Sequence, residues 1–158
     1  MDPLKGAVGA GAVALIVAGG VGAAYINNEP TAFTLSSKEI GTVSFTNGNI
    51  GNIEANKSKL VADHEKNKDW FNWVYKNKLS YAKEAKEGEA SKLSTEFQAV
   101  TEGYGTGTTT SLNKVCDAAY KKNKTDFEGN NEPNKVKYKA DVEKFCIYKE
   151  SGQLDLGS

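Results

Sequence analysis

Arginine is absent from the 158-residue chain; all twenty basic side chains are lysine. Without the planar guanidinium fork, no side chain can grip a carboxylate or phosphate bidentately, and anion chemistry loses its usual tool. Histidine occurs once, at His64 in "ADHEKNKD", flanked by Asp63 and Glu65. A lone histidine beside neither Cys, Ser nor a second His makes no zinc set and no nucleophile relay, and it reads as a solvated helix residue. Excess charge is missing too, with twenty lysines against twenty acids. No net field then draws the chain to nucleic acid or another polyanion. The acids are spread evenly and most have a lysine within four residues, as on an exposed helix, so no carboxylate pair stands out for acid and base work. Cysteine is confined to positions 116 and 146, which is not a C-x-x-C spacing. No catalytic residue, metal ligand or cofactor is expected from these counts.

What is present begins at the start of the chain. "GAVGAGAVALIVAGGVGAAYI", Gly6 to Ile26, has no charge and no proline. As a helix it would rise ~32 Å at ~1.5 Å per residue, matching a hydrocarbon core of roughly 30 Å. An uncleaved membrane anchor is the leading reading. A cleaved signal peptide is its rival, because Gly22 and Ala24 stand where a peptidase cutting before Tyr25 needs small residues. "GAGAVA" also satisfies G-x-G-x-x-A, with Glu29 twenty residues beyond Gly9, but a strand before it and alternating strands and helices after it are lacking. Gly6, Ala10, Ala14, Ala18 and Gly22 recur every fourth residue, a small-residue stripe on which membrane helices can pack as homo-oligomers. Anchor and signal both place the rest of the chain outside.

Residues 27–53 read as a polar stalk, with a weak hairpin signal in "TVSFT" followed by Asn47-Gly48. Residues 54–158 read as a small helical domain. "DWFNWVYKNKLSYA" opens at Asp69, a good N-cap, and puts Trp70, Trp73, Val74 and Tyr81 on one face. A short helix is expected from Ser91 to Val100 through Leu93, Phe97 and Val100. "EGYGTGTTTS" lacks the lysine of a phosphate loop and reads as a flexible linker. Leu112, Val115, Cys116, Ala119 and Tyr120 then make an apolar helix face, with Ser111 or Thr110 able to cap it. Tyr138, Val142, Phe145 and Cys146 repeat the pattern after the turn signals "GNNEPN", and the two helices are expected to pack as an antiparallel pair. "KVKYK" at 135–139 is a solvated helix start.

Cys116 and Cys146 both fall on apolar helix faces. In an exported domain a disulfide between them is permitted, and a loop of this size is worth about 3 to 4 kcal/mol in the chain-entropy model. Two reduced core cysteines acting as small hydrophobes remain the alternative. Trp70 and Trp73 are expected in the core, whereas Phe71 and Tyr75 point to another face and form a candidate partner-contact patch.

The order of a Gly/Ala-rich span, a Thr/Ser stalk, "KDWFNWVYKNK", "LNKVCDAAYKK" and "YKADVEKFCIYKE" resembles the large paralogous families of small hypothetical proteins in haemotropic mycoplasmas. The likeness covers most of the chain, and the two Cys-bearing helices are its most specific part. Lysine and asparagine together supply 34 residues (20 + 14), the skew of an A+T-rich genome. "EGYGTGTTT" has no counterpart in those families. The resemblance implies an exposed, variable domain on a membrane stem, facing the host red cell or its immune system, with no active-site residue to carry over. The expected architecture is mainly α, a single transmembrane helix followed by a small helical domain with one minor β-hairpin. The expected role is a non-enzymatic surface or antigenic protein. Its expected partners are the lipid bilayer, a host-surface protein and further copies of itself. A secreted enzyme and a structural surface spacer are the alternatives.

Overall fold

Leu60, Val61 and Ala62 form an unbroken apolar triplet, and all three are buried. The computed structural model, which describes residues 28–84, 92–150 and 152–157, places this triplet between two partners that are remote in sequence. On one edge Leu35 N donates to Leu60 O at 2.9 Å and Ala62 N donates to Phe33 O at 3.1 Å. On the other, Val61 N donates to Cys146 O and Tyr148 N donates to Lys59 O, both at 3.0 Å. Both pairings are antiparallel, as isolated bridges Thr34 to Val61 and Leu60 to Ile147. A segment paired on both edges and covered on both faces needs no polar alternation, which is why it reads as a plain apolar run. The chain divides into two units, Met1–Pro30 and Thr31–Ser158. The helices and bridges among the described residues lie in the second, which is mainly helical.

Residues 31–53, expected to belong to a stalk, are therefore part of the second unit. Ala32, Leu35 and Ile50 sit in its core. Asn47-Gly48 does turn, with Gly48 at φ +98°, the left-handed region that glycine enters without strain. The expected hairpin nevertheless does not form, because Asn49 leaves the turn to bridge Asn123, and Ile50 N donates to Lys122 O at 2.8 Å. A lone two-stranded hairpin is marginal in water, and long-range pairing wins here.

Among the described residues there are six α-helical segments: α1 (Glu54–Lys57), α2 (Lys68–Val74), α3 (Ser80–Ala82), α4 (Thr95–Gln98), α5 (Leu112–Tyr120) and α6 (Pro133–Phe145). A π turn, Tyr75–Leu79, joins α2 to α3. This wider turn advances the chain by an extra residue and slips the phase of the buried face. Trp70 and Val74 are buried as the 3.6-residue spacing predicts, but the next core residue is Leu79, and Tyr81 is left 43% exposed. Side chains meet carbonyls that the irregular turn loosens: Asn77 Nδ2 donates to Trp73 O at 3.0 Å and Ser80 Oγ to Lys76 O at 2.7 Å.

α4 is shorter than expected, yet Leu93, Phe97 and Val100 are all buried. Its N-cap is Ser94, whose Oγ accepts from Phe97 N at 3.4 Å. The same serine is gripped by Asp141 of α6: the carboxylate Oδ2 accepts from Ser94 N at 2.7 Å and from Ser94 Oγ at 2.8 Å. Burial pushes the Asp141 carboxyl upward in pKa, and the two bonds from Ser94 oppose that rise. α5 buries the five residues expected of it, and α6 starts on Pro133 and buries Tyr138, Val142 and Phe145.

Four asparagines explain much of what holds the irregular parts. Asn67, fully buried, accepts from Phe33 N through Oδ1 at 2.8 Å and donates through Nδ2 to Phe33 O and Ala62 O, each at 2.8 Å. Asn56, also fully buried, accepts from Asp155 N at 2.8 Å and donates to Asp155 O at 2.7 Å and to Ile50 O at 2.9 Å. Asn113 makes the same two-point contact with Gly105, at 2.9 and 3.1 Å. Asn49 donates to Lys121 O at 2.8 Å and accepts from Thr46 N at 3.0 Å. A carboxamide carries the donor and acceptor of a peptide group, so each of the first three stands in for a missing strand neighbour.

Candidate functional site

The glycine-rich segment expected to be a linker is a built loop. Its ends form a parallel bridge between Glu102 and Ser111, and Thr101 N donates to Thr110 O at 2.8 Å. Inside it, Ser111 Oγ donates to Glu102 Oε1 at 2.5 Å and accepts from Gly107 N at 3.0 Å. At Gly103 the backbone presses so close to α2 that an added Cβ would lie 2.5 Å from Asn72 Cα. Tyr104 follows, its N–H donating to Asn72 Oδ1 at 2.9 Å and its ring 6.4 Å from that of Phe71.

This docking removes Phe71 from the expected contact patch. Phe71 is 0% exposed and packs edge-on against Trp70 at 5.1 Å, while Tyr75 is half-buried against the core. The loop covers the face that a 3.6-residue wheel leaves open, so Phe71 is a core residue. The small-residue stripe Gly6, Ala10, Ala14, Ala18 and Gly22, and the whole Gly6–Ile26 segment, lie outside the described residues. Among the described residues no helix is long and apolar enough to cross a membrane.

Cys116 and Cys146 are brought together as a disulfide, with Cα atoms 5.7 Å apart and both residues fully buried. The bridge ties the middle of α5 to the C-cap of α6. Tyr120, one turn on, closes the same corner by donating its hydroxyl to Val61 O at 2.8 Å and Cys146 O at 3.2 Å. Complete burial pushes that phenol well above its ordinary pKa.

A polar ledge borders the glycine loop. Lys114 Nζ and Asn113 Nδ2 both donate to Asp63, each at 2.7 Å, with the Asp63 and Lys114 side chains 14% and 36% exposed. The hydrogen bond to Asp63 raises the Lys114 pKa, outweighing partial burial. Tyr104 is raised as well, first by burial and then by the Asp63 charge. The lysine is thus held as an ammonium and the phenol as a neutral hydroxyl, an arrangement suited to holding the loop and not to nucleophilic attack. His64, expected on a helix surface, is instead the N-cap of the 3-10 turn Glu65–Asn67, its Nδ1 accepting from Lys66 N at 3.2 Å. Among the described residues no group of three or more His, Cys, Asp or Glu could hold a metal ion.

An open groove of about 540 Å³ lies on another part of the surface, between α4, the 3-10 turn Lys124–Asp126 and the start of α6. Its walls are fixed by hydrogen bonds. Asn134 accepts from Thr95 N at 2.9 Å and donates to Glu96 Oε1 at 3.0 Å. Asp126 Oδ2 accepts from Asn123 N at 3.0 Å, and Lys135 pairs with Glu132 at 2.9 Å. Tyr138 contributes the floor: its ring is stacked on Phe127 at 5.2 Å and lies 6.1 Å from Phe97, leaving the residue 3% exposed. Burial raises the Tyr138 pKa well above the ordinary phenol value, and the Glu96 and Asp126 carboxylates add to the rise. Periodicity places Tyr138 on the buried face and so hides that it also lines a groove. Glu96 and Asp126 carry no sequence signal of their own, being two acids among twenty.

No family model, curated protein or solved structure matches this chain.

Proposed function

We propose that this chain is an exported, non-enzymatic binding protein, anchored in the cell membrane by Gly6–Ile26 and presenting residues 31–158 to a protein on a host surface. The observation that carries the reading is the Cys116–Cys146 disulfide, closed in the core between two helices. Protein disulfides form and persist in oxidising compartments and are rare in reducing cytosol, so the bond supports export. The uncharged Gly6–Ile26 segment supplies the length for an anchor. The ledge around Asp63 and Lys114 is engaged in internal hydrogen bonds, which supports recognition over reaction as the task of the surface. Protease shaving of intact cells tests the proposal. The expected result is loss of the Thr31–Ser158 domain with the N-terminal peptide retained in the membrane fraction. Recovery of the intact chain in the cytosolic fraction with free thiols at 116 and 146 overturns it.

A further inference from the structure

We propose that the groove over Tyr138 is the contact point for a basic side chain, lysine or arginine, of the partner polypeptide, its cation seated between the carboxylates of Glu96 and Asp126 and the Tyr138 hydroxyl. The inference rests on the binding role proposed above and names the chemistry of the partner.

Tyr138 is the first support. Its ring is held between Phe127 and Phe97 and the residue is 97% buried, yet it lines the groove. Among the described residues its hydroxyl has no hydrogen-bond partner, and the oxygen is not sealed from solvent. A phenol locked in position with an unused lone pair is a preformed acceptor.

The second support is the charge around it. Glu96 uses Oε1 for Asn134 and Thr95, and Asp126 uses Oδ2 for the Asn123 amide. The other oxygen of each has no hydrogen bond among the described residues. Burial is the main cause of the raised Tyr138 pKa, and the Glu96 and Asp126 carboxylates add to it, which puts both acids near the phenol. Two lysines also line the groove. Lys135 is occupied, donating to Glu132 at 2.9 Å and to Thr125 O at 3.2 Å, which leaves Lys122 against the Glu96 and Asp126 carboxylates. A volume of about 540 Å³ lies within the range of ligand clefts and admits a long side chain with its flanking main chain.

The test uses the full chain in detergent micelles, followed by amide NMR during titration with a neutral Gly/Ser heptapeptide carrying one central lysine. The expected result is saturable shifts concentrated at residues 95–97, 123–126 and 131–138. An arginine version is expected to bind comparably, and a norleucine version to leave the spectrum unchanged. The double variant Glu96→Gln with Asp126→Asn keeps the internal acceptors and is expected to weaken binding at least tenfold. Tyr138→Phe, which keeps the ring stack, should weaken it several-fold. Shifts that also follow norleucine, that survive the double variant, or that never saturate overturn the proposal. So does tighter binding of an aspartate version, which would assign the groove to Lys122 and an anion. Binding of n-butylamine as tight as that of the lysine peptide would assign it to free amines and likewise overturn a polypeptide partner. Cytosolic recovery of the chain would sink the exported role while leaving these shifts in place, so the two failures are distinguishable.

Discussion

The corner made by α5 and α6 and the centre made by Leu60–Ala62 are held by different means. At the corner, apolar residues recur at helical spacing and the cysteines among them close a covalent bridge. At the centre, three segments around residues 33, 61 and 147 share only a few backbone bonds, and buried asparagines complete the pairing. The corner is stabilised by apolar area and a crosslink. The centre depends on directional polar bonds, which fail abruptly when one donor or acceptor is wrong.

Asn67→Asp should break the centre most severely. It replaces a donor to two carbonyl oxygens with a carboxylate facing them, a loss on the order of 3 to 5 kcal/mol. Thermal unfolding of the full chain in detergent, read from the near-ultraviolet signal of Trp70 and Trp73, would measure it. The deficit should shrink as pH falls, because a protonated carboxyl regains one donor. An equal deficit at low and neutral pH would show that the donor is not what matters.

Removing the bridge at the corner should cost slightly less. Cys116 and Cys146 are 30 residues apart, and closing such a loop is worth about 3 to 4 kcal/mol. The double variant Cys116→Ala with Cys146→Ala, assayed in the same way, should still fold, since the apolar faces remain. If it unfolds outright while Asn67→Asp stays folded, the contrast between the two regions is reversed.

Gly103→Ala sharpens the comparison at a third place. The new methyl meets the α2 backbone, and overpacking of this kind costs roughly 1 to 3 kcal/mol. Lifting the loop should also expose Phe71, so dye binding to apolar surface should rise with little loss of helix signal. Unchanged stability and dye binding would mean the loop does not cover that face.

The smallest effect is a pH slope. The Asp141 carboxyl holds its proton to higher pH when folded than when unfolded, so the folded state binds more protons in the window above the ordinary carboxylate value of 3.8. Stability from this group is therefore highest at the acid side of that window and declines as pH rises through it. Asp141→Asn, which keeps an acceptor for Ser94 N, should flatten that part of the stability profile. An unaltered slope would remove Asp141 as its source.

These contrasts also explain which parts of the fold were legible beforehand. Leu112 to Tyr120 and Tyr138 to Cys146 were readable because a helix writes its buried face into its own sequence every three or four residues. Leu93, Phe97 and Val100 were readable for the same reason. On α2 the spacing places Trp70 and Val74 correctly, and beyond Val74 it loses phase, because the Tyr75–Leu79 turn adds a residue that composition does not announce. Phe71 was misplaced because its cover, Gly103-Tyr104, lies thirty residues onward in a segment whose glycines look like slack. The pairing of Leu60–Ala62 with residues near 34 and 147 left no local trace at all. Asparagine was likewise read as a mark of base composition, whereas at positions 49, 56, 67 and 113 it is a buried bonding partner. At the groove the acids and the tyrosine were visible individually. Their convergence is a property of three separate segments.

The grip of Asn56 on Asp155 has a consequence for how the domain comes into being. Residues 56–61 meet the last of their lasting neighbours only when positions 146–155 have been made and delivered. A ribosome or export channel therefore releases an unfinished early half, which must wait for the late one before it can close. Tags or truncations beyond Tyr148 then act on the beginning of the domain as much as on its tail.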